Sequence, residues 1–131
     1  MIFIDSNVPM YLVGSDHPNK LTSRRVLERF ALDREMLVTD AEVFQEILHR
    51  YTFINRREAI TPTFEILFAI VDEVFPITRE IIIKSKDLLT SVAALSARDA
   101  VHASVMKHFD ITRIFTFDRD FENLAGIKIE S

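Results

Sequence analysis

Short runs of apolar residues alternate along the chain with longer stretches in which apolar positions recur every three or four residues. The short runs end at polar or turn residues and predict buried strands, whereas the longer stretches predict amphipathic helices. The predicted strands cover residues 2–4, 36–38, 75–77, 114–117 and 127–129. Because helical stretches separate them, the pattern predicts an α/β fold of three layers, with a mostly parallel central sheet and helices on both faces.

Local signals set the predicted helix boundaries. Thr39 and Glu42 match a capping box, and Thr61 followed by Pro62 matches an N-cap with proline at the first helical position. Turn-forming residues at positions 14–19 predict a loop after a short first helix. The other predicted helices cover about residues 20–33, 39–48, 61–74, 78–91 and 96–106.

Length and composition narrow the class of protein. A chain of 131 residues without a visible linker predicts a single domain over residues 1–131. No apolar run reaches the ~18 residues that a membrane helix requires, and no signal-peptide pattern is visible, so we expect a soluble, cytoplasmic protein that does not contact membranes. The absence of Cys excludes disulfides and thiolate metal sites and leaves oxygen and imidazole ligands.

The net charge of −4 argues against a protein that holds nucleic acid through a broad basic surface. This objection weakens if several acids share one pocket, because a bound divalent cation reverses the local field and lets phosphate approach. Local basic clusters are expected to be solvated faces rather than RNA contacts: Arg24, Arg25 and Arg29; Arg50, Arg56 and Arg57; Lys107 and His108.

Two acids follow predicted strands. Asp5 ends the first strand, and Asp118 ends the strand at residues 114–117. Ligands of open parallel sheets bind at the carboxyl ends of the strands, so both side chains should reach the same edge if the strands are neighbours. Each could instead cap the helix after it, but two acids at one edge favour a site.

Asp99 and Glu46 are further candidates. Ser96 and Asp99 match a loose capping box, which would explain Asp99 without a ligand, but the small residues around Asp99 indicate a closely packed, partly buried carboxylate. A buried carboxylate needs a partner or a metal ion, and both explanations stay open. Glu46 lies at the edge of an apolar helix stripe and can point into a cleft, or it can pair with Arg50 one turn later.

Together these residues resemble the PIN-domain family, and within it the VapC-type toxins of prokaryotic toxin–antitoxin pairs. The resemblance covers nearly the whole chain and rests on Asp5-Ser6-Asn7 after the first strand, Glu46 within residues 43–48, Asp99 within residues 97–100, and Asp118 within residues 115–121. It implies a PIN-like fold in which Asp5, Glu46, Asp99 and Asp118 hold the metal. It also implies that Asn7 and Thr116 support the site and that Asp120 is an additional acid.

The resemblance further implies the chemistry and the partners. Water activated on Mg²⁺ or Mn²⁺ would hydrolyse an RNA phosphodiester, in tRNA or another structured RNA, with Asp118 or Asp120 orienting the water. A toxin of this kind would be neutralised by a small antitoxin that covers the acidic pocket. The doubly apolar helix at residues 61–74 is a candidate surface for that antitoxin or for a homodimer.

Other classes fit less well. A receiver domain needs an acidic pair after the first strand, and a haloacid-dehalogenase-like phosphatase needs a second Asp at position 7, where this chain has Asn. A ribonuclease based on histidine is also a poor fit, because the four His are expected to be solvated or at the core edge: His17, His49, His102 and His108. A PIN-like module that binds RNA or protein without cutting, or a housekeeping RNA-processing nuclease, stays open.

Overall fold

Five short strands form one sheet in the computed structural model, which describes residues 1–131. The strands are β1 (Ile2–Ile4), β2 (Leu37–Asp40), β3 (Glu73–Phe75), β4 (Arg113–Phe115) and β5 (Lys128–Glu130). The α-helices are α1 (Asn7–Val13), α2 (Pro18–Leu32), α3 (Ala41–Phe53), α4 (Ile60–Ile70), α5 (Arg79–Ser91) and α6 (Ala97–His108). Short 3₁₀ helices occupy Arg57–Ala59 and Arg119–Asn123.

All neighbouring strands are parallel, in the order β3-β2-β1-β4-β5. The chain moves from β1 to β2 to β3 in one direction, then crosses back to β4 on the other side of β1. Because crossovers between parallel strands are right-handed, this reversal places α1 to α4 on one face and α5 and α6 on the other. The predicted α/β fold, with a parallel sheet between two helical layers, is therefore confirmed.

Burial on both faces explains why the central strand is an uninterrupted apolar run. Ile2, Phe3 and Ile4 are all completely buried, and the ring of Phe30 from α2 packs edge-on against Phe115 of β4 at 5.8 Å. No helix of the structure combines the length and the apolar character needed to cross a lipid bilayer.

Helix α6 is the most deeply buried helix, with eight successive buried residues from Asp99 to Met106. Small side chains allow this close packing, and Ser85 of α5 donates a hydrogen bond to Ser104 of α6 at 3.2 Å. The expected close packing around Asp99 is confirmed. Helix α6 therefore carries its polar residues, Asp99 and His102, into the interior of the protein.

The predicted start of helix α3 is wrong by one residue. Asp40, not Thr39, caps α3 by accepting a hydrogen bond from the backbone N–H of Val43 at 2.9 Å. Thr39 still belongs to β2, where its hydroxyl donates to the carbonyl of Ile4 at 2.8 Å. Glu42, expected to complete the capping box, pairs instead with Arg98 at 3.9 Å.

The helix predicted from Thr61 to Val74 is displaced. Helix α4 begins at Ile60, directly after the 3₁₀ turn Arg57–Ala59, and has no side-chain cap. Since that turn already supplies the helix start, Thr61 lies inside the helix. At the other end, α4 stops at Ile70, and Val74 belongs to β3.

Two predicted strands end too late. Strand β3 covers Glu73–Phe75 and stops before Pro76, which lacks the N–H that a longer ladder would need. Strand β4 stops at Phe115, so Thr116 and Phe117 lie beyond the sheet. This second difference matters for the site, because it places the hydroxyl of Thr116 at the sheet edge.

Candidate metal centre

The centre lies at the carboxyl ends of β1 and β4, the two neighbouring strands whose connections leave in opposite directions. Such a switch point opens a crevice in which parallel α/β proteins bind ligands. Asp5 follows β1 there, and its backbone N–H donates to the carbonyl of Phe115 at 3.1 Å. Its side chain is almost fully buried, with 3% of the residue exposed.

A small polar network orients Asp5. The hydroxyl of Thr116 donates to Asp5 Oδ2 at 2.6 Å, and the hydroxyl oxygen of Thr116 accepts from the backbone N–H of Asp118 at 3.0 Å. The amide of Asn7 donates to Thr116 Oγ1 at 3.2 Å and accepts from the N–H of Phe117 at 3.3 Å. Asn7 and Thr116 thus tie the end of β1 to the segment after β4.

Asp99 enters the crevice from the first turn of α6. Carboxylate oxygens of Asp99, Asp118 and Asp120 lie within 4.8 Å of one another. Burial, together with the negative charges of Asp118 and Asp5, raises the pKa of Asp99 to about 6. The capping alternative is confirmed for Asp118, which caps the following 3₁₀ helix, and Ser96 caps α6 through the N–H of Asp99, but Asp5 caps no helix, since α1 has Ser6 at its N-cap and no side-chain cap. Neither of the two caps neutralises the clustered negative charge.

Glu46 reaches the crevice from α3. One of its oxygens accepts from the hydroxyl of Ser6 at 3.1 Å, and the other lies against Nε2 of His102. The expected alternative pairing with Arg50 is not formed, because these two contacts direct Glu46 inwards. Ligand atoms of Asp5, Glu46 and His102 also lie within 4.8 Å of one another.

His102 is completely buried, so the expectation that it is solvated or at the core edge is wrong. Its Nδ1 lies 2.8 Å from Oδ2 of Asp40, which is also completely buried. Burial alone would lower the pKa of His102, but Asp40 and Glu46 outweigh it and raise that pKa well above its usual value.

The donor set of this centre suits a hard divalent cation. Mg²⁺ and Mn²⁺ prefer carboxylate oxygens, and no Lys or Arg forms an ion pair with Asp5, Asp99 or Asp118. Burial raises the pKa of Asp5, although the positive charge of His102 opposes this shift. A bound cation would remove the repulsion among these carboxylates, so the residues fit the metal that the resemblance to the PIN-domain family implies.

A cavity of about 670 Å³ opens beside the centre. Ser6, Asn7 and Glu46 form part of its wall, and the positively charged residues in the remaining wall are Arg50, Arg56 and Arg98. The wall also contains Asp16, and Arg56 is paired with Glu58 at 2.5 Å, so the positive charge free to face the acidic centre comes from Arg50 and the loosely paired Arg98.

Sequence reasoning missed Asp40, Ser6 and His102 as parts of the centre. A usable signal existed for His102, which follows Asp99 by three residues and therefore lies on the same side of α6. Asp40 carried a signal like that of Asp5, since it lies two residues after the predicted strand at residues 36–38, at the carboxyl end of the sheet, but its contact with His102 depends on how deeply α6 is buried.

Fold and centre together define an α/β domain with a carboxylate site for a divalent cation, and comparison with known proteins identifies the family. The PIN-domain family model matches residues 2–127. The chain is 55% identical over 128 residues to Ribonuclease VapC13 of Mycobacterium tuberculosis, covering 98% of both sequences. The chain therefore belongs to the PIN-domain family, and within it to the VapC ribonucleases.

Solved structures agree with this fold. VapC20 of Mycobacterium tuberculosis, a toxin that cleaves the sarcin–ricin loop, is similar with a TM-score of 0.78 and 21% identity over 93% of each chain. VapBC2 of Rickettsia felis, crystallised on a DNA fragment from its promoter, is similar with a TM-score of 0.75 and 14% identity, covering 99% of this chain and 98% of that chain. The predicted family and enzyme class are confirmed, and the receiver and phosphatase alternatives are not favoured.

Proposed function

We propose that this protein cleaves RNA internally, as a metal-dependent endoribonuclease, with Asp5, Glu46, Asp99 and Asp118 holding Mg²⁺ or Mn²⁺. The observation that carries the proposal is the convergence of four acids from four separate segments at the switch point of the sheet, none of which has a Lys or Arg partner. A module that only bound RNA would not need to concentrate negative charge where phosphate must approach.

The chain's own residues divide the remaining work. When bound, the metal ion would activate water and offset charge on the scissile phosphate. Asn7 and Thr116 keep Asp5 in place through the network between β1 and β4. Asp120 is exposed and lies next to Asp99 and Asp118, which makes it, with Asp118, a candidate to orient the attacking water and accept its proton.

The substrate is RNA, and the basic wall of the cavity supports this proposal. Arg50 has no carboxylate partner within ion-pair distance, and Arg98 pairs with Glu42 only at 3.9 Å. Both side chains line the cavity beside Glu46 and can attract the phosphates that flank the cleaved bond. Since VapC20 cleaves the sarcin–ricin loop, we propose a structured RNA, with tRNA among the candidates.

The protein acts as the toxin of a toxin–antitoxin pair, and a small antitoxin protein covers the acidic centre. The similarity to the VapBC2 complex and to VapC13 supports this part of the proposal. Helix α4 offers a surface for the antitoxin or for a homodimer, because Phe68 is 59% exposed on it and stacks on Phe44 of α3. Size-exclusion chromatography with light scattering distinguishes a homodimer from a monomer.

Residues 1–131 act as one domain, located in the cytoplasm where cellular RNA is available. The sheet order supports a single domain, because β1 from the start of the chain pairs with both β2 and β4.

The test is cleavage of end-labelled tRNA and total RNA in Mg²⁺, Mn²⁺ or EDTA, comparing the wild type with Asp99→Asn. Asp87→Asn is the matched control, since Asp87 is exposed on α5 and lies outside the centre. Discrete fragments that require metal, persist in the control and vanish in Asp99→Asn would support the proposal. Intact RNA with folded wild-type protein would favour a binding module, and fragments that persist in EDTA would reject the metal-dependent mechanism.

A further inference from the structure

His102 and Asp40 form a buried pair behind Glu46. His102 is completely buried in the middle of α6, and both of its ring nitrogens face carboxylate oxygens. On one side Nδ1 lies 2.8 Å from Oδ2 of Asp40, and on the other Nε2 lies against Oε1 of Glu46. Phe3 packs against the imidazole with ring centroids 5.3 Å apart, so the ring has little freedom to rotate.

The two carboxylates have different environments. Asp40 is completely buried, and its other oxygen already accepts from the backbone N–H of Val43 at the start of α3. The side chain of Glu46 is 16% exposed and lines the cavity beside the metal centre. The contacts therefore run from a rigid helix start, through Asp40 and His102, to a carboxylate that substrate and metal can reach.

A purely structural histidine would not need a carboxylate at both ring nitrogens. Each nitrogen of a buried imidazole needs a partner, but once Asp40 holds Nδ1, a neutral acceptor such as a backbone carbonyl would satisfy Nε2 and leave Glu46 free to turn towards the solvent. Instead Glu46 is held at both oxygens, by His102 and by Ser6. The arrangement costs the conformational freedom of a long side chain, which is consistent with a need for one fixed orientation.

We propose that His102, anchored by Asp40, is a positioning residue that donates its Nε2–H to Glu46 and thereby fixes this carboxylate for the metal ion, without binding the ion itself. The inference rests on the proposed function, because it assumes that Glu46 serves the metal. Residues that orient metal ligands in this way typically change metal affinity or activity about 10- to 100-fold when they are replaced.

Two substitutions separate the two hydrogen bonds of the ring. In His102→Gln the side-chain amide can take the place of Nε2 and still donate to Glu46, whereas in His102→Asn the shorter amide can replace only Nδ1 and faces Asp40. The matched control is His108→Gln, because His108 is exposed on the same helix and lies outside the centre.

The measurements are the Mn²⁺ dissociation constant of each variant, by calorimetry without RNA, and the metal-dependent cleavage rate. We expect His102→Asn to weaken Mn²⁺ binding and slow cleavage about 10- to 100-fold, and His102→Gln to stay within about threefold of the wild type. Equal losses in two folded variants, or no loss in either, would overturn the inference. A wild type that neither binds Mn²⁺ nor cleaves RNA would instead reject the proposed function.

Wild-type protein provides a second test that does not depend on the folding of the variants. Nitrogen NMR of the His102 ring should show that Nε2 carries its proton and keeps its hydrogen bond to Glu46, before and after saturation with Mg²⁺. Loss of the Nε2 proton when Mg²⁺ is added would mean that the imidazole binds the ion directly, and it would overturn the positioning role.

Discussion

The two halves of the acidic centre differ in how the negative charge of their carboxylates is compensated. In one half, Glu46 is held by Ser6 and by a buried imidazole, which supplies a compensating charge. In the other half, Asp99 faces Asp118 and Asp120 with no cationic partner, and its pKa is raised to about 6. The first half is balanced by the protein itself, whereas the second half needs a cation from solution.

This difference assigns distinct roles to the two halves. Side chains that already have their partners keep their geometry whether or not metal is bound, and they provide the fixed part of the site. Side chains that repel one another destabilise the folded protein until a cation arrives, and they supply the electrostatic drive for binding. Breaking each half should therefore affect metal-dependent activity and stability in different proportions.

The largest effect is expected at Asp99. Replacing Asp99 by Asn should lower the RNA cleavage rate by about 10³-fold or more, because a proposed metal ligand is lost. It should also raise the melting temperature of the metal-free protein, because the repulsion from Asp118 and Asp5 is removed. Cleavage assays and calorimetry in EDTA measure the two effects. A variant that loses activity and also melts earlier would contradict the view that this half is strained without metal.

The next effect is expected at Asp40, in the balanced half. Asp40→Ala leaves His102 buried against a single carboxylate and removes the cap of α3, so it should destabilise the protein by about 3 to 5 kcal/mol. Urea unfolding measures the loss. Asp40→Asn is the matched variant, since it keeps an oxygen for the cap, and its loss should be smaller. Equal losses in both variants would place the stabilisation in the charged contact with His102 rather than in the cap.

The same two halves differed in how well the sequence predicted them. Asp5, Asp99 and Asp118 stand at element ends, and element order alone brings the ends of β1 and β4 to one edge of a parallel sheet. The contact of Asp40 with His102 could not be predicted, because it joins residues 62 positions apart and depends on the depth to which α6 is buried. The capping box at Thr39 failed for a similar reason, since β2 extends one residue beyond Thr39 and shifts the cap to Asp40.

Thr116 contacts Asp5, which lies beside Glu46 and His102, and also Asp118 of the other half. Replacing it should have a moderate effect on the cleavage rate. Thr116→Val removes the donor to Asp5 and the acceptor for the N–H of Asp118, so we expect cleavage to slow about tenfold. Thr116→Ser keeps the hydroxyl and should retain most of the activity. Cleavage rates of the two variants at saturating Mn²⁺ distinguish the loss of the hydrogen bonds from the loss of the methyl group. Activity that is retained in Thr116→Val and lost in Thr116→Ser would mean that packing of the methyl group, not the hydroxyl, determines the site.

The smallest effect is expected from pH alone. The pKa of Asp99 is about 6 in the folded protein and near 3.8 in the unfolded chain, so folding takes up protons as the pH falls through 6. The raised pKa of His102 acts in the same direction, because its stabilising contribution is lost as the pH rises through the folded value. Lowering the pH from 7.5 to 5.5 in EDTA should therefore raise the melting temperature by roughly 2 to 4 °C. In saturating Mg²⁺ the melting temperature should instead fall as the pH is lowered, because the ion would bind ionised Asp99 and acid would displace it. Calorimetry at the two pH values, with and without Mg²⁺, measures both shifts in melting temperature. A metal-free protein that is less stable at pH 5.5 than at pH 7.5 would show that the carboxylates of the second half do not repel one another.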